Sequence, residues 1–134
     1  MTEESNQETK NWLVMVDYDL TTAGHMLKAG RYVYVIFMCH LAIEKILKAI
    51  VGQATQKIPP RTHDLIHLID LGQIKLADDL LDFIGKINNV SVVTRYPEDF
   101  PTLVKSYPKD VTKDYLNKTV EIIQCLKQDK RLKK

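Results

Sequence analysis

Apolar residues recur at helical spacing almost throughout the chain, and no stretch of useful length alternates as a β-strand would. The first predicted helix runs from about Thr9 to Lys28, and Gly30 provides a stop after it. The second predicted helix, from about Arg31 to Val51, is apolar on nearly every side, and Gly52 lies just beyond it. A helix of this kind is expected in the middle of a bundle.

Two further helices are predicted in the middle of the chain. Pro59 and Pro60 interrupt the helical pattern, and Thr62 is placed to cap a short connecting helix. The next predicted helix extends from about Lys75 to Val93 and carries a regular set of apolar residues, Leu76, Leu80, Ile84 and Ile87.

The end of the chain is predicted to form one more helix after a proline-rich segment. Pro97 restricts Tyr96 to extended conformations, and Pro101 and Pro108 are expected to keep the following segment irregular. Asp110 can then cap a last helix whose inner face is formed by Tyr115, Leu116, Thr119, Ile122, Ile123 and Leu126.

Together these elements predict an all-α fold, an up-and-down four-helix bundle with an additional short helix. The length of 134 residues suits a single domain. We expect this helical domain to cover residues 9–126, with flexible termini at residues 1–8 and 127–134.

Composition and charge limit the function classes. The first ten residues are polar, and no stretch approaches the roughly 20 apolar residues that span a bilayer, so we expect a cytoplasmic protein without a membrane segment. The last eight residues hold five basic residues and one acidic residue, so the other 126 carry a net charge of −2 and form no obvious nucleic-acid surface. Cys39 and Cys125 lie far apart among apolar neighbours, which predicts two buried free thiols.

A polar stripe in the second helix is the most informative chemical feature. His40, Glu44 and Lys48 follow at intervals of four and therefore share one narrow face. One interpretation is a solvent-exposed strip held by a Glu44–Lys48 pair, worth about 0.3–0.5 kcal/mol. The other is that Glu44 is partly buried and needs a cation from another element, because an unpaired buried carboxylate is costly. Arg95 is the leading donor in that case.

Arg95 lies where the fourth predicted helix should end, so it can simply cap the last carbonyls there. Its planar guanidinium also binds a carboxylate or a phosphate through two hydrogen bonds, and Tyr96 and Pro97 beside it would hold it in a defined loop. Arg95 therefore suits either an ion pair or a nucleotide.

His63 and His67 are four residues apart, with Asp64 and Asp70 nearby. Two imidazoles on one face are a weak metal signal without a third ligand, so we predict no metal site; His63 and Asp64 are of more interest as a hydrogen-bonding pair. The chain also lacks a glycine-rich phosphate loop and a serine or cysteine placed for a triad. No catalytic residue and no cofactor are therefore designated.

Three motifs occur in order: CHLAIEKILKA at residues 39–49, PPRTHDL at residues 59–65 and TRYP at residues 94–97. Together they resemble the HEPN family, also described as the higher eukaryote and prokaryote nucleotide-binding domain. That family commonly shows an Ala-x-Glu-Lys-x-Leu-Lys-Ala core in its second helix, a Thr-His-Asp/Glu-Leu step after a loop, and an Arg-Tyr-Pro ending a later helix. The resemblance covers about residues 9–126.

The resemblance implies a four- or five-helix bundle that is frequently a homodimer. Such domains are often encoded beside a minimal nucleotidyltransferase, with which they form a two-component or toxin–antitoxin pair. Ribonuclease members of the family carry an Arg-x4-6-His motif late in the domain, and here no histidine follows Arg95. The histidine that would move a proton near neutral pH is missing from that place, which favours a binding role over an enzymatic one.

The leading hypothesis is a helical homodimer that partners a nucleotidyltransferase and holds a nucleotide phosphate at one polar cluster, formed by Glu44, Lys48, His63, Asp64, Arg95 and Tyr96. A first alternative is a metal-independent ribonuclease with a non-standard site, in which His63 or His40 replaces the missing histidine; binding of RNA is left open. A second alternative is a purely structural helical dimer, in which Glu44 and Arg95 form an internal brace.

Overall fold

The computed structural model describes residues 3–95 and 98–133, and these residues contain helices and no strand. The helices are α1 (Glu3–Lys28), α2 (Tyr32–Thr55), α3 (Leu65–Gly72), α4 (Asp78–Arg95), α5 (Phe100–Ser106) and α6 (Lys109–Leu126), followed by a 3-10 helix at Lys130–Lys133. This architecture confirms the predicted all-α bundle. None of the helices in the described ranges is long and apolar enough to cross a membrane.

Helix α2 lies at the centre and packs against α1, α3, α4 and α6. Its side chains are buried on nearly all sides, because its sequence is apolar at most positions. Burying one large aliphatic side chain contributes about 1.5–3 kcal/mol. The fully buried large aliphatic side chains of α2 form the middle of the core, and they are Ile36, Ile43, Ile46, Leu47 and Ile50.

Helices α1 and α2 form an antiparallel hairpin that turns at Gly30. Gly30 has a φ of +74°, a conformation that glycine adopts without steric cost, and the Arg31 N–H donates to the Met26 carbonyl at 2.9 Å. Further along the hairpin, Lys45 Nζ donates to the Asp19 carboxylate at 2.6 Å in a mostly buried position. The turn and the ion pair together fix how α1 lies on α2.

The predicted end of α2 near Val51 and Gly52 is wrong, because the helix continues to Thr55. Gln56 then adopts the left-handed conformation, with a φ of +57°, and its N–H donates to the Gly52 carbonyl at 2.9 Å. A glycine inside a helix costs only about 1 kcal/mol relative to alanine. Burial of Val51 on one side of it and Gln53 on the other offsets that cost.

The segment predicted to be irregular also forms a helix. Asp99 caps α5, and its carboxylate accepts hydrogen bonds from the Thr102 N–H at 3.3 Å and the Thr102 hydroxyl at 2.7 Å. Pro101 lies in the first turn, where backbone N–H groups have no acceptor within the helix, so the N–H that proline lacks costs no helical hydrogen bond. Pro108, and not Asp110, occupies the N-cap position of α6, while Asp110 lies in the first turn beside the positive end of the helix dipole.

Two contacts join the end of the chain to the bundle. Lys127 Nζ donates to the Asp17 carboxylate at 2.8 Å, and the Arg131 guanidinium donates to both the Gly72 carbonyl and the Asp129 carboxylate. The hydrogen bond from Arg131 also holds the pKa of Asp129 below its usual range. The flexibility expected for residues 1–8 and 127–134 stays a prediction.

The two cysteines differ, so the prediction that both are buried is wrong for Cys125. Cys39 is fully buried in α2, whereas Cys125 is exposed on α6, because its apolar neighbours in sequence are turned by about 100° per residue towards another face. Burial raises the pKa of the Cys39 thiol to about 12, although a hydrogen bond with Thr119 acts in the opposite direction.

At about pH 8 we expect only Cys125 to react rapidly with a thiol reagent such as dithionitrobenzoate, because Cys125 is exposed, whereas Cys39 is buried and its raised pKa opposes formation of the reactive thiolate. Cys39 should react only after the protein is unfolded. The measurement is the absorbance of released thionitrobenzoate in native and denatured protein. A Cys125→Ser variant should lose the rapid phase, and persistence of that phase would contradict the assignment.

Candidate functional site

Glu44 lies in the middle of α2 and is only 4% exposed. Lys48 Nζ donates to its Oε2 atom at 3.1 Å, and His63 Nδ1 lies 2.8 Å from its Oε1 atom. His40, which is also buried, has its Nδ1 atom 3.8 Å from the same Oε1 atom. These positions contradict the solvent-exposed strip, because all three polar residues of the α2 stripe are buried.

The stripe forms because residues four apart lie on one face of a helix. Lys48 reaches Glu44 from the next turn, and its Nζ atom also lies 5.7 Å from the centroid of the Trp12 ring on α1. A cation placed over an indole face is stabilised by the ring quadrupole. Lys48 is therefore held between a carboxylate and an aromatic ring.

His63 reaches Glu44 from the loop that follows Pro59 and Pro60. Its side chain is 63% exposed, although its Nδ1 atom is bound to the buried carboxylate. Because a carboxylate oxygen accepts hydrogen bonds, Nδ1 is the donor and Nε2 remains for another partner. His63 thus pairs with Glu44, and not with the adjacent Asp64 as the sequence suggested.

Asp64, and not Thr62, is the N-cap of α3. Its Oδ1 atom accepts from the N–H groups of Ile66 at 3.1 Å and His67 at 3.3 Å. The Asn88 side chain on α4 donates to the same oxygen at 3.1 Å. Asp64 therefore fixes the start of α3 and joins it to α4, one residue after His63.

Arg95 is the last residue of α4, where the sequence placed it. Its side chain and the whole of Tyr96 lie outside the described residues, so the brace between Arg95 and Glu44 stays a prediction. The structure brings together Glu44, Lys48 and His63, with Asp64 next to them as a helix cap. Within the described part of the chain, no three His, Cys, Asp or Glu side chains converge as a metal site would require.

The Arg-x4-6-His motif was expected only late in the domain, and a pair with its spacing in the middle of the chain was overlooked. Arg61 and His67 are separated by five residues, which is the spacing of an Arg-x4-6-His motif. Both side chains are exposed, and they lie on either side of the α3 cap. The pair stands in the middle of the chain, and not late in it where the motif was expected.

The family sequence model of the HEPN domain matches residues 9–130. The chain belongs to the HEPN domain family. Comparison with curated proteins gives no match.

Two solved structures share the fold of this HEPN domain. One is TT1696 from Thermus thermophilus, with a TM-score of 0.76 and 19% sequence identity, over 90% of this chain and 96% of that one. The other is ST0689, an archaeal HEPN homologue, with a TM-score of 0.71 and 22% identity, over 89% of this chain and 94% of that one. At these identities the likeness shows a shared fold alone.

In this HEPN domain, Glu44→Ala should lower the free energy of unfolding by about 3–5 kcal/mol, because Lys48 would be left buried without its carboxylate. His63→Ala should cost much less, since its ring is mostly exposed and Glu44 would keep Lys48. Chemical denaturation measures both changes. Glu121→Ala, at an exposed position of α6, is the matched control and should stay within about 0.5 kcal/mol of the wild type. A Glu44→Ala protein as stable as this control would refute the buried ion pair.

Proposed function

We propose that this HEPN chain is a nucleotide-binding interaction module, which holds a phosphate at Lys48, His63 and Arg95 and acts beside a minimal nucleotidyltransferase. The observation that supports this most is the fixed imidazole of His63. Its Nδ1 atom is bound to buried Glu44, while most of the ring is exposed. An imidazole held in one orientation through Nδ1 can also donate from Nε2 to a phosphate oxygen when both of its nitrogens carry a proton.

The charge balance of the cluster explains why Arg95 belongs to the proposal. Lys48 neutralises Glu44, so a phosphate needs further positive charge, which His63 supplies only when it is protonated. A guanidinium stays charged at any relevant pH and binds phosphate with two hydrogen bonds. Arg95 ends α4, the helix that Asn88 joins to the start of α3.

The partner in this proposal is taken from the family to which the chain belongs. Its members often pair with a minimal nucleotidyltransferase in a two-component or toxin–antitoxin system, and many are homodimers. We propose a cytoplasmic homodimer for this chain as well. Exposed apolar side chains on α1, such as Val14 and Tyr18, are consistent with surfaces that become covered.

Calorimetric titration with ATP and other nucleotides tests the phosphate site. We expect wild-type protein to bind, and Arg95→Ala to lose about tenfold or more in affinity, because a hydrogen bond between charged groups contributes about 1.5–3 kcal/mol. His63→Ala should also weaken binding, because the hydrogen bond from Nε2 to the phosphate would be lost. Lys75→Ala, at an exposed position after α3, is the control. The proposal fails if wild-type protein binds no nucleotide and Arg95→Ala leaves association with the nucleotidyltransferase unchanged.

A ribonuclease is the second candidate, and the pair Arg61 and His67 favours it. His63, held by a carboxylate, has the arrangement of a general base that removes a proton from a ribose 2′-hydroxyl. The new bond from that oxygen to phosphorus would expel the 5′-oxygen, and His67 would donate its own proton to that leaving oxygen. Arg61 would stabilise the charge on the phosphate.

This second candidate predicts cleavage of labelled RNA in the presence of a metal chelator, with the cut products resolved by electrophoresis. His63→Ala and His67→Ala should each abolish cleavage, whereas His25→Ala, an exposed histidine on α1, should not. No cleavage by wild-type protein, under conditions where a ribonuclease member of the family cuts, excludes this activity.

A further inference from the structure

Two apolar cavities meet at the turn between α1 and α2. The larger, of about 480 Å³, is lined almost entirely by apolar atoms, and its walls are Thr22, Met26, Ala29, Arg31, Tyr34 and Met38. The smaller, of about 190 Å³, lies between this turn and α5, where Phe100 and Val104 close it. Tyr34 and Arg31 border both cavities, and the rings of Tyr34 and Phe100 are about half exposed.

A third cavity, of about 300 Å³, adjoins the other two and is basic. Lys28, Lys109 and Lys113 line it together with the turn residues Ala29 and Gly30. None of these lysines forms an ion pair with a described residue. Unpaired positive charge therefore lies next to the two apolar cavities.

The acidic residues of α6 do not neutralise this cavity. Lys109 and Lys113 are four residues apart and share one face of the helix. Asp110 and Asp114 each follow by one position, which turns them by about 100° around the axis, and neither lines the cavity. The lysines therefore remain available to carboxylates of another molecule.

We infer that this region docks an acidic segment of a partner protein, which inserts a large apolar side chain into the larger cavity and places carboxylates against the lysines. We call it the basic corner, and it consists of Lys28, Arg31, Tyr34, Phe100, Lys109 and Lys113. The partner protein of the proposed function would bind at this surface, so the inference rests on that proposed function.

Three observations favour a protein segment over a nucleic acid. The larger cavity offers almost no polar atoms with which to read a base, whereas it is large enough for a leucine or phenylalanine side chain. Met26 and Met38 in its walls are flexible side chains that adapt to different apolar partners. Tyrosine and arginine are the residue types that most often dominate protein interfaces, and charge complementarity at the rim selects the partner.

The basic corner is separate from the Glu44 cluster. Tyr34 and Glu44 are ten residues apart on α2, which corresponds to about 15 Å along the helix. Changes at one end therefore need not alter binding at the other.

Short random peptides displayed on phage and selected on wild-type protein test the inference. Each round should include counter-selection on the Lys109→Glu, Lys113→Glu double variant. We expect the retained peptides to carry Leu, Ile or Phe next to Asp or Glu. In titrations of a labelled selected peptide, the double variant and Tyr34→Ser should each lose about tenfold in affinity. The control is Lys57→Glu with Lys75→Glu, two exposed lysines beyond the other end of α2, and it should bind as the wild type does. Circular dichroism confirms that each variant is folded.

Three results would overturn the inference. The first is that the selection enriches basic peptides or enriches no peptide. The second is that single-stranded RNA binds more tightly than any selected peptide. The third is that light scattering shows self-association of the wild-type protein and that Tyr34→Ser abolishes it. The basic corner would then be an interface with a second copy of this chain. Arg95→Ala should bind the selected peptide normally, so loss of nucleotide binding and loss of peptide docking are distinguishable.

Discussion

Glu44 carries a charge inside the most buried helix of the bundle, and both of its oxygens need donors at fixed positions. Lys48 comes from the next turn of α2, but His63 comes from the loop before α3 and can reach Glu44 only if that loop lies against α2. The next residue, Asp64, caps α3 and binds Asn88 on α4. One buried carboxylate is thus connected to the placement of three helices, and separating it from its partners would leave a charge without compensation.

The main helices could be predicted from sequence because burial on one side imposes a period of 3.6 residues on α1, α4 and α6, while α2 is marked by a long and nearly continuous apolar sequence. The ends of the helices were harder to predict, because packing overrides the local preferences of glycine and proline. Gly52 suggested a stop but is carried inside α2 between buried neighbours. Pro101 suggested an irregular segment but occupies the first turn of α5, where proline is compatible with a helix.

The candidate site was predictable in part. Spacing of four placed His40, Glu44 and Lys48 on one face, and the presence of a donor from another element followed from the cost of an unpaired carboxylate. That His63 supplies this contact could not be read from spacing, because it depends on the path of a loop. The basic corner left no pattern at all, since Lys28 and Lys109 are 81 residues apart and meet only in the fold.

The burial of α2 on nearly all sides has a geometric consequence for any bound molecule. A helix packed so completely keeps its two halves at a constant separation, here about 15 Å between Tyr34 and Glu44, or roughly three helical turns. A single side chain bound near Tyr34 would not cover His63, and a single phosphate group at His63 would not reach the α1–α2 turn. An extended peptide would need at least about five residues to bridge the two places, and a ligand that fills one of them alone would leave the other open.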